Sequence, residues 1–219
     1  PTFIPKEFML LPTMSCQASC KYYFGPNSGE TMQLDVVDKA IDFIEQISPE
    51  NKKLHITFHG GEPLLAAKGY YEMLLPKLKE RFGRRLRLSM QSNLLTLDDH
   101  MISLISKYDI AVAQAGGFEQ MCNEQRGEDY YKISNQARGR LRQHGIDTHC
   151  ICTFTHGFAQ SNDVRQAFDS FASPYSIHGA VCELGKEPNK YTVSVDDMTT
   201  IFTESLAVYR ENIAKNHIS

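Results

Sequence analysis

Apolar residues along this chain recur at two spacings that take turns almost to its end. Leu54, Ile56 and Phe58 alternate with His55, Thr57 and His59, the period of a strand with one buried face. Just upstream, Val36, Val37, Ala40, Ile41, Ile44 and Ile47 recur at three- and four-residue intervals, the stripe of an amphipathic helix. Six such strand-helix pairs can be read. The predicted strands are Glu7 to Leu11, Leu54 to Phe58, Leu86 to Met90, Ile110 to Gln114, Ile146 to Phe154 and Tyr175 to Leu184.

The first predicted helix runs from Asp35 and is closed by Pro49, and the second follows Pro63, carries Tyr70, Leu74 and Leu78, and ends at Gly83. The third carries Met101, Ile102 and Ile105 behind Asp98. The fourth, Tyr130 to His144, is expected to break at Gly139, since glycine costs about 1 kcal/mol against alanine in a helix. Helix five spans Val164 to Ala172. Helix six runs from Val195 to Ala214, with Met198, Ile201, Phe202, Leu206, Tyr209 and Ile213 expected on one face. Repeated strand-helix units build an α/β fold around a parallel sheet. Six units rather than eight predict an open, partial (β/α)6 TIM-like barrel, and residues 1–219 read as one domain because no linker or low-complexity stretch divides them.

In such folds the loops after the strands build the site. Here those loops hold Cys16 and Cys20, then Gly60-Gly61-Glu62-Pro63, then Gln91-Ser92-Asn93, then Ala113 to Gly117, with Thr153 and Thr155 at the end of the fifth strand. Read alone, Cys-x3-Cys is either core packing or a metal site, and the Gly-Gly and Glu-Pro pairs also punctuate ordinary turns. A zinc site from Cys16, Cys20 and His59 fits the metal's ligand preferences but not the rest of the pattern. Cys150 and Cys152 lie two apart and share a strand face, where they read as core thiols.

Cys16-x3-Cys20-Lys21-Tyr22, followed by Gly60-Gly61-Glu62-Pro63 after the next strand, resembles the radical S-adenosylmethionine family in order and spacing. The resemblance spans roughly residues 8 to 215. It implies a four-iron, four-sulfur cluster held by Cys16 and Cys20. It also implies S-adenosylmethionine bound by Gly60, Gly61, Glu62, Pro63, Asn93 and Arg126. In the family, reductive cleavage of that cofactor yields a deoxyadenosyl radical that abstracts hydrogen from substrate. Gly60 and Gly61 would admit the methionine amino group, Glu62 would orient it, and Arg126 would help hold the carboxylate. Tyr22 and the Pro12-Thr13 entry look most like the peptide-modifying, SPASM-type subfamily, which implies a peptide or protein substrate. That subfamily's second, cysteine-rich domain is expected to be absent from this chain.

Four positions depart from the family pattern. Tyr23 stands in the third ligand place, where a phenol of pKa about 10 is far harder to deprotonate than a thiol of about 8.5. Ala113 and Ala115 replace a hydroxyl and a carboxylate in the segment after strand four, and Leu94 follows Asn93 where the family usually has glycine. Two thiolates and a phenol are therefore expected not to hold a stable cluster, and S-adenosylmethionine is expected to bind weakly. Two readings stand side by side: a radical enzyme core acting on peptides, and a cluster-free relative serving as a peptide-binding or scaffold module. No catalytic residue is assigned.

Charge adds exclusions. With 23 basic and 26 acidic residues scattered along the chain, the net charge of −3 offers no footprint for nucleic acid. No apolar run nears the roughly 20 residues that cross a bilayer, and no secretory signal opens the chain, so a cytoplasmic location without membrane contact is expected. Six cysteines in this arrangement suit a reducing compartment.

Overall fold

The computed structural model describes residues 5–23, 25, 27–50, 52–67, 69–161, 163–170, 175–182 and 186–216. In chain order the elements are β1 (Glu7–Thr13), α1 (Leu34–Ile47), β2 (Leu54–Gly60), α2 (Tyr70–Phe82), β3 (Leu86–Ser92), α3 (Asp99–Tyr108), β4 (Ile110–Gly116), α4 (Glu119–Arg126), α5 (Tyr130–Gln143), β5 (Thr148–Phe154), α6 (His156–Ala159), α7 (Val164–Ser170), β6 (Tyr175–Gly179) and α8 (Val195–Asn216). The strands follow one another in sheet order from β1 to β6, the topology of an α/β fold with a parallel sheet. No described helix is long and apolar enough to cross a membrane.

Two compact units share the chain: residues 1–17, 26–115 and 133–148 in the first, and 18–25, 116–132 and 149–219 in the second. In the first, β1, β2, β3 and β4 pair in parallel, with Phe8 opposite Ile56, Ile56 opposite Leu88, and Met90 opposite Val112. Leu54, Ile56 and Phe58 on β2 and Met90 on β3 are buried with Ile41, Ile44, Leu74, Leu78, Ile102 and Ile105 from the helices. The strand alternation read from the sequence is thus what puts a helix-covered core on one face of these strands. Register slips on β1 between Leu10 and Thr13, which brings Thr13 opposite Gly60. α3 starts where expected, because the Asp98 carboxylate accepts the Met101 N–H at 2.7 Å.

The second unit has its own core. β5 and β6 pair in parallel, and Cys150, Cys152 and Phe154 on β5 are buried with Met121, Val164, Phe168, Ile201 and Val208. The two thiols share a face as expected, with their sulfurs 3.8 Å apart, and serve as core residues. α8 begins with a reciprocal cap: the Asp197 N–H donates to the Ser194 hydroxyl, and the Ser194 N–H donates to the Asp197 carboxylate. The same carboxylate accepts from Gln160 and pairs with His156, which ties α6 to α8.

Several expectations change. Gly139 does not break α5: a side chain there would meet nothing, and the helix runs through it. β5 starts at Thr148 rather than Ile146, because the Ile146 N–H still closes the preceding helix on the Leu141 carbonyl and Gly145 turns the chain at φ +74°. Of the stripe expected on α8, Ile201 is buried and Met198 packs against the same core, joined by Val208, while Phe202, Leu206 and Tyr209 are exposed. β6 ends at Gly179, and parts of the expected ends of helix five (Ala172) and strand six (Leu184) lie outside the described residues.

Candidate functional site

In the first unit the turn after β2 lies against the chain's own first strand. The Gly61 N–H donates to the Thr13 carbonyl at 3.0 Å, and the Glu62 N–H donates to the Ser15 carbonyl at 2.7 Å. A side chain at Gly60 would overlap the Thr13 carbonyl oxygen, and Gly60 also sits at φ +117°. One at Gly61 would overlap the carbonyl oxygens of Ser15 and Met14. Only glycine fits such backbone-on-backbone contact. Both glycines are therefore required by β1 and its following loop, a reason the sequence reading did not contain.

Glu62 is 1% exposed and works as a clamp. Its Oε1 accepts the Leu64 N–H at 2.9 Å and the Ser92 hydroxyl at 2.7 Å, and its Oε2 accepts the Asn93 N–H at 2.8 Å. The first bond caps a short 3-10 turn, Pro63–Leu65, which Pro63 opens with a φ already suited to it. The other two lock the end of β3. Burial pushes the carboxyl pKa up, and the three donors hold it only partly down. A carboxylate offers about four acceptor positions, and these three bonds fill three of them.

Asn93 joins this clamp to the first cysteine. Its side-chain oxygen accepts from Gln17 Nε2 at 3.2 Å and from the Leu95 N–H at 2.9 Å, which turns its amide nitrogen toward Cys16 Sγ at 3.8 Å. Leu94, in the family's glycine place, keeps glycine's geometry at φ +63° while only 1% exposed. Such a conformation costs a leucine about 1–2 kcal/mol. Gln114, between Ala113 and Ala115, is buried with no partner for its Oε1 among the described residues.

The second unit holds two of the expected residues, Cys20 and Arg126. This guanidinium is 9% exposed, donates from Nη1 to Cys20 Sγ at 3.6 Å, and lies 5.2 Å from the Tyr22 ring and 5.1 Å from the Tyr130 ring. No carboxylate pairs with it among the described residues. It is not the solvated arginine that its polar context also allowed. Burial pushes the Tyr22 phenol up to about 12 against the pull of Arg126. α4 is fixed to the cysteine loop, since the Lys21 N–H donates to the Gln125 carbonyl, while Gln125 Nε2 donates to Thr155 Oγ1. Tyr23 is 42% exposed, with its phenol folded back over Gly25.

The donor set does not fit a four-iron cluster. Two thiols are present, the third place is a half-exposed phenol, and no group of three His, Cys, Asp or Glu side chains among the described residues is arranged to hold a metal ion. The zinc arrangement meets the same obstacle. His59 moreover uses its Nδ1 to accept the Gly60 N–H at 2.6 Å, and burial lowers its pKa. Sequence reasoning missed Ser92 and Tyr130 as partners of Glu62 and Arg126. For Ser92 a signal existed: it falls on the same strand parity as Leu86, Leu88 and Met90, so a polar side chain there had to be buried and paired.

No family model matches the chain. A protein of Methanothermobacter thermautotrophicus, described only as uncharacterized, is 25% identical over 215 residues, covering 96% of this chain and 81% of its own length. Among solved structures, anSMEcpe with bound AdoMet superposes with a TM-score of 0.83 at 19% identity, covering 96% of this chain and 61% of its own. Streptococcus suis SuiB bound to its precursor peptide SuiA gives 0.71 at 14% identity, covering 98% and 47%. At these identities the likeness is one of fold. This chain has the α/β, partial (β/α)6 fold of these structures, which is the fold that the sequence resemblance implied. It spans less than two thirds of the length of either solved chain.

Proposed function

We propose that this chain is a peptide-binding core of the radical S-adenosylmethionine type whose own residues no longer complete the cluster site. The observation that carries this is the pairing of a retained scaffold with an incomplete donor set. Gly60, Gly61, Glu62, Pro63, Asn93 and Arg126 are the residues that the family resemblance names, while Tyr23 is half-exposed at the sequence position of the third thiolate. A peptide as partner is supported by the fold neighbours, which include anSMEcpe with a bound peptide and SuiB with SuiA. In this reading the Arg126 guanidinium is a contact for an anion, and Glu62 Oε2 is a contact for an amine. Neither contact is strong by itself, and Ala113 and Ala115 supply no polar group to add to them.

The enzyme reading, in which the core generates a deoxyadenosyl radical and abstracts hydrogen from a peptide, is favoured by Cys16 and Cys20, which keep the spacing of the family. Anaerobic reconstitution with iron and sulfide counting separates the two. The chain as it stands is expected to hold well under a full four-iron complement, and Tyr23→Cys to approach it. A full complement on the unaltered chain, with reductive release of deoxyadenosine, would overturn the cluster-free reading.

A further inference from the structure

Behind the turn pair that Glu62 locks, the first unit has a groove of about 730 Å³, within the range of ligand pockets. Its floor is apolar and buried: Tyr71 at the start of α2, with Met101 and Leu104 from α3. Its edges are acidic. Glu72 and Asp98 line it together with His100, and no lysine or arginine lines it among the described residues. Among the described residues neither carboxylate is paired with a lysine or arginine; Glu72 Oε1 meets His100 Nε2 at 2.7 Å, and Asp98 uses one oxygen to cap α3. Two walls are the segments that follow Glu62 and Asn93 directly, Leu64 to Ala67 and Thr96 to Asp98, so whatever fills the groove lies against the same turns that build the candidate site.

We propose that this groove docks a basic segment of the peptide substrate, placing an apolar side chain on Tyr71, Met101 and Leu104 and a lysine or arginine head between Glu72 and Asp98. The inference rests on the peptide-binding reading above and names the chemistry of the peptide. A long basic side chain suits the groove because its methylene stem covers apolar surface while its charge stays at the wet edge. An acidic segment would bring like charge against Glu72 and Asp98, and a purely apolar one would leave Asp98 without a cation.

The test is fluorescence anisotropy with a fluorescein-labelled Lys-Leu-Lys-Leu-Lys peptide, its Glu-Leu-Glu-Leu-Glu counterpart and an uncharged Ser-Leu-Ser-Leu-Ser peptide. Asp98→Asn keeps the helix cap, since asparagine caps as well as aspartate. Glu72→Gln/Asp98→Asn is therefore expected to fold normally and to weaken the basic peptide about tenfold or more. Glu128→Gln/Glu187→Gln removes the same charge elsewhere and is expected to leave binding unchanged. Higher salt should weaken binding to the parent and barely affect the groove variant. Equal binding to parent and groove variant, or equal affinity for the acidic peptide, would overturn the groove while leaving the peptide-binding reading standing. Binding of the uncharged peptide without the basic one would do the same. Failure of all three peptides to bind would overturn both.

Discussion

The environments of Glu62 and Arg126 are both built after strand ends and both bury a charge, yet they treat it in opposite ways. Glu62 is surrounded by donors of its own chain, two backbone N–H groups and a serine hydroxyl, and its bonds join two successive turns. Arg126 has two aromatic faces, one thiol and, among the described residues, no carboxylate. Breaking a buried carboxylate's partners costs the full desolvation of what is left behind, whereas a buried cation without an anion already carries that cost. The first is a lock that the fold uses for itself; the second leaves a charge for something else to meet.

The contrast can be broken by substitution. Glu62→Gln puts an amide nitrogen among N–H donors, and in either orientation one backbone N–H loses its acceptor. It should lower the unfolding free energy by about 2 kcal/mol in chemical denaturation. Gln114→Leu sharpens the picture from the other side, because it removes an orphaned amide oxygen from a buried strand position. A gain of about 1–2 kcal/mol is expected by the same measurement, and a loss would mean that the amide has a partner in solution. Arg126→Met should change stability least, by under about 1 kcal/mol, since the lost ring contacts are offset by relief from burying an unmatched charge. It should nonetheless weaken S-adenosylmethionine in titration calorimetry. If Arg126→Met unfolds as readily as Glu62→Gln, the guanidinium is a structural post and the comparison fails.

Most of the strands and the motif turns were legible because alternation and glycine-rich strand ends are local signals. What was not legible had polar or short-range causes. α4 escaped notice because it buries Gln125 and Arg126 alongside Met121 and Cys122, so no apolar stripe marks it. α8 misled through the opposite fault: its apolar residues spread over more than one face, and those it gives to the core of the second unit are Ile201 and Val208. The roles of Gly60 and Gly61 could not be read from sequence, because the atoms they make room for belong to residues 13 to 15, some 45 positions earlier in the chain. Leu94 departs from the family pattern in identity, yet its backbone takes a positive φ of the kind that favours glycine. The bonds from Ser92 Oγ and Asn93 Oδ1 to the next two N–H groups impose that path whatever side chain follows.

The contact of Gly60 and Gly61 with the β1 backbone bears on how such a protein can change over generations. Those two positions have no neighbouring codon that the structure would accept, because any side chain collides with main-chain atoms that cannot swing aside. Tyr23, half in water and resting over Gly25, can be exchanged at little expense to folding. The third ligand position is therefore less constrained by main-chain packing than the glycine turn, so a lineage can change the one while the other stays fixed.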